Sequence, residues 1–82
     1  MKYIVLRYKN DETSERVYMF PQQEKHDEFA ERAVMPDWRV VRGGFVMLES
    51  GKLYCYGEAF SLGLTADKER DTKLLYQQLD QG

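Results

Sequence analysis

Trp38-Arg39-Val40-Val41-Arg42-Gly43-Gly44-Phe45-Val46-Met47-Leu48-Glu49-Ser50-Gly51-Lys52-Leu53-Tyr54-Cys55-Tyr56-Gly57-Glu58-Ala59-Phe60 carries the signature of a β-hairpin. Trp38 to Glu49 is the longest run of strand-forming residues in the chain, Ser50-Gly51 is a two-residue turn, and Lys52 to Phe60 returns. So short a turn fixes the register. It sets Glu49 opposite Lys52, Leu48 opposite Leu53, Met47 opposite Tyr54, Val46 opposite Cys55, Phe45 opposite Tyr56 and Gly44 opposite Gly57. Side chains alternate along a strand, so Val46, Leu48, Leu53 and Cys55 share an aliphatic face. Phe45, Met47, Tyr54 and Tyr56 share an aromatic one, joined by Arg39 if its strand is unbulged.

Working outward, Lys2 to Tyr8 is a first strand and Arg16 to Phe20 a second. The polar cluster Lys9 to Glu15 between them predicts a longer hairpin loop, and Pro21 closes the pair. Glu24 to Val34 places Phe29, Ala30, Ala33 and Val34 on one helical face, and Met35-Pro36 stops that helix. After Ser61-Leu62-Gly63-Leu64, Thr65 is the expected N-cap of a second helix reaching about Leu79. Leu74, Leu75 and Leu79 form its apolar stripe, and Glu69 can pair with Lys73. The order β-β-α-β-β-α predicts an α+β fold: one domain over residues 1–82, with an antiparallel sheet of about four strands and two helices. Trp38 to Glu49 is expected to lie centrally. A bare patch at Gly44 and Gly57 is expected to receive Trp38 or a helix.

Composition narrows the function classes. With 43% hydrophobic and 32% charged residues the 82-residue chain reads as globular, and it is small enough that every element must share the core. Its net charge of −2 gives no global field for phosphate backbones, so nucleic acid is not favoured. A single cysteine excludes an internal disulfide and fits a reducing compartment. The apolar stretch Tyr3 to Leu6 is far too short for a leader or a membrane span, so the cytoplasm is the expected location.

No catalytic motif emerges. One histidine and one cysteine, about thirty positions apart, do not make a metal site or a nucleophilic triad, so neither metal nor cofactor is expected. His26 reads as a solvated first-turn residue and Cys55 as a small buried hydrophobe. Arg42-Gly43-Gly44 precedes no helix, so a bulge or a close backbone approach explains it better than a phosphate loop.

Gly44-Phe45-Val46 followed by Cys55-Tyr56-Gly57-Glu58-Ala59-Phe60-Ser61-Leu62-Gly63-Leu64 resembles small uncharacterised proteins of tailed bacteriophages and prophages. The likeness is firmest from Gly43 to Leu79. Ala59 departs from it, because a small polar residue stands there in the relatives. The resemblance implies a phage or prophage gene product in a bacterial cytoplasm, and it transfers no catalytic or binding residue.

The sheet itself is the remaining feature. A hairpin apolar on both faces exceeds what two short helices cover, so Phe45, Met47, Tyr54, Tyr56 and Arg39 are the expected partner-binding residues of a non-enzymatic interaction protein. A homodimer or a host or phage protein is the expected occupant. The alternative is a single-stranded nucleic-acid binder that stacks bases on Tyr54 and Tyr56 beside Arg39.

Overall fold

Tyr3-Ile4-Val5-Leu6 is apolar without alternation, and a strand of that kind must be buried on both faces. In the computed structural model, which describes residues 1–81, all four are fully buried within β1 (Lys2–Tyr8). The antiparallel sheet also contains β2 (Asp11–Phe20), β3 (Trp38–Glu49) and β4 (Lys52–Tyr56), in the order β2-β1-β3-β4. The expected α+β class is therefore what the chain adopts. Trp38 to Glu49 is an inner strand, and its register with β4 matches the sequence reading from Glu49↔Lys52 to Phe45↔Tyr56. Ser50 and Gly51 both have positive φ, 51° and 78°, the backbone that a two-residue hairpin of this twist needs.

Helix α2 (Lys68–Asp80) covers one face. Its i, i+4 geometry lays three stripes side by side. Asp71 and Leu75 point into the sheet and are buried, with Leu75 packed among Tyr3, Val5, Val17 and Cys55. Thr72 and Tyr76 turn toward β4, where the Thr72 Oγ1 accepts from Cys55 N–H at 2.9 Å and the Tyr76 hydroxyl accepts from Leu53 N–H at 2.8 Å. On the opposite flank the Gln78 amide clasps β2, accepting from Val17 N–H and donating to Val17 C=O, both at 2.8 Å. One helix thus satisfies outward-facing backbone groups on both edges of the sheet, where unpaired N–H groups would otherwise recruit another strand.

Helix α1 (His26–Ala33) packs on the other face, with Ala30 buried against Ile4, Leu6 and Phe20. Phe29 stacks on Phe20 with ring centroids 4.2 Å apart. The helix covers the β1–β2 half of the sheet and reaches the far half of β3 through His26.

Several expectations needed correction. The polar cluster after Tyr8 is not a long loop: β2 begins at Asp11, whose carboxylate accepts from Thr13 N–H, Thr13 Oγ1 and Ser14 Oγ. The returning strand stops at Tyr56, because Gly57 adopts φ 82° and turns the chain out of the ladder instead of facing Gly44. Beyond Gly57 the chain forms a two-stranded lobe, β5 (Glu58–Ala59) and β6 (Leu64–Thr65), around a 3-10 turn at Phe60–Leu62. Thr65 therefore belongs to a strand, and Asp67 caps α2 by accepting from Arg70 N–H. The glycine patch is filled by this lobe, not by Trp38 or a helix: Ala59 lies against Gly43 and Ala66 against Gly44. Leu79 is half exposed in the last turn, and Glu69 and Lys73 form no ion pair among the described residues.

Candidate functional site

The hairpin's aromatic face is where cover runs out. Lys2 pairs with Phe45, so Phe45 and Met47 project on the side of Ile4 and Leu6, the side α1 occupies. Because α1 is centred over β1 and β2, Met47 remains 43% and Tyr56 39% exposed, and Phe45 and Tyr54 are half-buried. Phe45 and Tyr56 rings lie 5.7 Å apart, and the His26 imidazole abuts Phe45 edge-on at 5.6 Å. His26 is buried rather than solvated, since its Nε2–H donates to Gly44 C=O at 2.8 Å and pins α1 to β3. Lys68, at the start of α2, places its ammonium 5.5 Å from the Tyr54 ring centroid. Met47, Tyr54, Tyr56, Glu49 and Lys68 line a groove along this margin.

Arg39 does not join them. A β-bulge at Val41 breaks the alternation of β3: Arg42 pairs with Val5 and Val40 with Leu6, so Arg39 falls opposite Arg7 on the α2 side of the sheet. The aromatic face therefore lacks the arginine expected for stacking on nucleic acid. The residue missed by sequence reasoning is Phe60, 80% exposed on the 3-10 turn. It lies on the α1 side, as Ala59 rests on Gly43 and the neighbouring Ser61 Oγ accepts from Asp27 N–H. Gly57 was the signal: a glycine ending the strand detaches Phe60 from the ladder.

The other concentration of chemistry is polar and closed. Asp71, wholly buried, accepts from the Tyr3 hydroxyl at 2.6 Å, from Asp67 N–H at 3.0 Å and from Arg42 Nε at 2.6 Å. Arg42 also donates from both terminal nitrogens to Glu15, which receives Arg7 Nε at 3.0 Å and lies 3.2 Å from Arg70. Among the described residues every buried side-chain nitrogen and oxygen has a partner. Burial, then the hydrogen bond and charge of Asp71, drive Tyr3 above the tyrosine range. Burial pushes Glu15 up, but hydrogen bonds from Arg42 and Arg7 and the charges of Arg42 and Arg70 outweigh it and hold the carboxyl below its ordinary value. Burial and the nearby Asp71 push the Cys55 thiol up to about 11, so it is a protonated core group. These groups hold α2 to the sheet by hydrogen bonds and ion pairs among themselves. Among the described residues no three His, Cys, Asp or Glu side chains converge as a metal site, and no helix is long and apolar enough to cross a membrane.

No family model, curated protein or solved structure matches the chain.

Proposed function

We propose that this protein is a non-catalytic interaction module that associates with a protein partner, a second copy of itself first, through the aromatic margin formed by Phe45, Met47, Tyr54 and Tyr56. One observation carries the reading: along this contiguous sheet face α1 leaves Met47 and Tyr56 exposed and Phe45 and Tyr54 only half-buried, while α2 packs on the opposite face. Aromatic and methionine side chains at a partly desolvated centre with Glu49 and Lys68 at the rim are the composition of a protein interface. The phage resemblance supplies the setting, a prophage or phage product acting in the bacterial cytoplasm without chemistry of its own.

Single-stranded nucleic acid fits less well, because Arg39 lies on the far side of the sheet and Glu49 stands in the groove.

Sedimentation equilibrium over a range of concentrations tests the proposal. Wild-type protein is expected to self-associate, and Tyr56→Glu to be monomeric but still folded, losing no more than about 1 kcal/mol with the Phe45 cross-strand contact. A wild-type protein that stays monomeric at millimolar concentration overturns self-association, and an oligomer indifferent to Tyr56→Glu overturns the aromatic margin as its interface.

A further inference from the structure

Tyr54 borders three adjoining hollows along the seam between β4 and α2, and Lys52, Lys68 and Lys73 line them, with Glu49 and Glu69 as the two acids. On the same face of the sheet, over β1 and β2, α1 turns Asp27, Glu28 and Glu31 to solvent, its one basic residue Arg32 being paired with Glu24, and the chain leaving that helix exposes Val34 and Met35. None of the three lysines and none of these three acids has an ionic partner within the molecule among the described residues. A lysine-rimmed aromatic groove and an acidic helix ending in two exposed apolar side chains are complementary in charge and character. They cannot meet within one molecule, because α1 is held over β1 and β2 by Phe20, Phe29 and His26, whereas the groove runs along the far edge.

The edge chemistry decides what kind of element docks. An incoming strand would need the outward N–H groups of β4, and those of Leu53 and Cys55 already serve Tyr76 and Thr72. A helix needs only side-chain contacts. We infer that the occupant of the Tyr54 groove is α1 of a second copy, with Glu28 and Glu31 meeting Lys68 and Lys73 and with Val34 and Met35 resting on the aromatic margin. This deepens the proposed self-association and rests on it. Because helix and groove are different surfaces, the contact is heterologous: each copy offers a helix at one end and a groove at the other, so assembly continues to a ring or a filament.

Two variants test it, Glu28→Gln/Glu31→Gln and Lys68→Gln/Lys73→Gln, all at exposed positions, with far-UV circular dichroism to confirm the fold. In sedimentation at low salt the wild type is expected to grow beyond a dimer and each variant to associate roughly tenfold more weakly, the scale of losing two surface ion pairs. Raising NaCl to about 0.5 M should weaken wild-type association similarly. The equimolar mixture is the decisive arm: one variant keeps an intact groove and the other an intact helix, so together they should form a 1:1 dimer that grows no further. A salt-insensitive symmetric dimer that both variants retain, but Tyr56→Glu loses, refutes the helix-in-groove contact while sparing the aromatic interface. A wild type that binds only a foreign protein likewise refutes the helix assignment, and a monomer that binds nothing refutes both readings.

Discussion

Replacing Asp71 with Asn keeps the shape of the most buried polar side chain and removes its charge. The carboxylate faces three donors: the Tyr3 hydroxyl, Asp67 N–H and Arg42 Nε–H. An amide offers one acceptor oxygen, and its NH2 must point at one of the two sets. Directed at Arg42, it sets donor against donor at Nε and leaves Glu15 as the only carboxylate on the guanidinium. Directed the other way, the Tyr3 hydroxyl can rotate to accept, but Asp67 N–H loses its partner and the start of α2 loosens. Breaking a buried charged pair from one side costs about 3–5 kcal/mol. For 82 residues at about 0.05–0.15 kcal/mol each, total stability is about 4–12 kcal/mol, so Asp71→Asn should remove at least about a quarter of it. Urea unfolding followed by circular dichroism at neutral pH reads the loss, and Tm should fall by at least roughly 12 °C. Tyr3→Phe alone should cost about 1–3 kcal/mol, and the double variant less than the sum, because both act on one network. A loss below about 1 kcal/mol for Asp71→Asn, with an unchanged denaturant slope, would show that the network is not what anchors α2.

Gly44→Ala places a methyl 2.3 Å from the Tyr56 carbonyl oxygen, a backbone atom that cannot swing aside, and should cost at least about 3 kcal/mol in the same assay. Gly51→Ala meets nothing within 4 Å and carries only the strain of φ 78°, so about 1 kcal/mol is expected. Gln78→Ala removes both bonds to Val17 and should speed hydrogen exchange at the Val17 amide while costing about 1–2 kcal/mol. The pH dependence has two limbs. Glu15 is held below the ordinary carboxyl value of 4.5, so its contribution is whole above that pH and is lost as pH falls toward its folded value. Tyr3 is raised above 10.0, so its contribution is whole below pH 10 and is lost above it; Cys55, raised from 9.0 to about 11, adds to the same limb, so Tyr3→Phe should shrink the alkaline loss in urea midpoints measured across pH and Tyr3→Phe with Cys55→Ala should shrink it further.

The local readings succeeded where one residue type and one spacing settle the backbone. Ser50-Gly51 alone sets the β3–β4 register, because a two-residue turn permits only one pairing, and the β-branched and aromatic residues of Lys2 to Tyr8 mark a strand. The two unlike faces of the hairpin, and with them Phe45, Met47, Tyr54 and Tyr56 as a group, follow from strand alternation. Other features depend on atoms distant in sequence. Arg42-Gly43-Gly44 suggests a bulge or a close backbone approach without fixing either; the close approach is at Gly43 and Gly44, while the bulge sits at Val41, where the pairing of β3 with β1 places it, and carries Arg39 to the other face. Asp11 to Glu15 looks like a loop until Arg7 and Arg42 arrive from two other strands to neutralise Glu15. His26 looks solvated until Gly44 offers a carbonyl eighteen residues away. Alternation and turn geometry are properties of neighbouring residues, so the chain states them itself. Which helix covers which half of the sheet is a competition among distant surfaces for one small core, and only the folded arrangement resolves it, leaving Met47 and Tyr56 of the aromatic margin exposed.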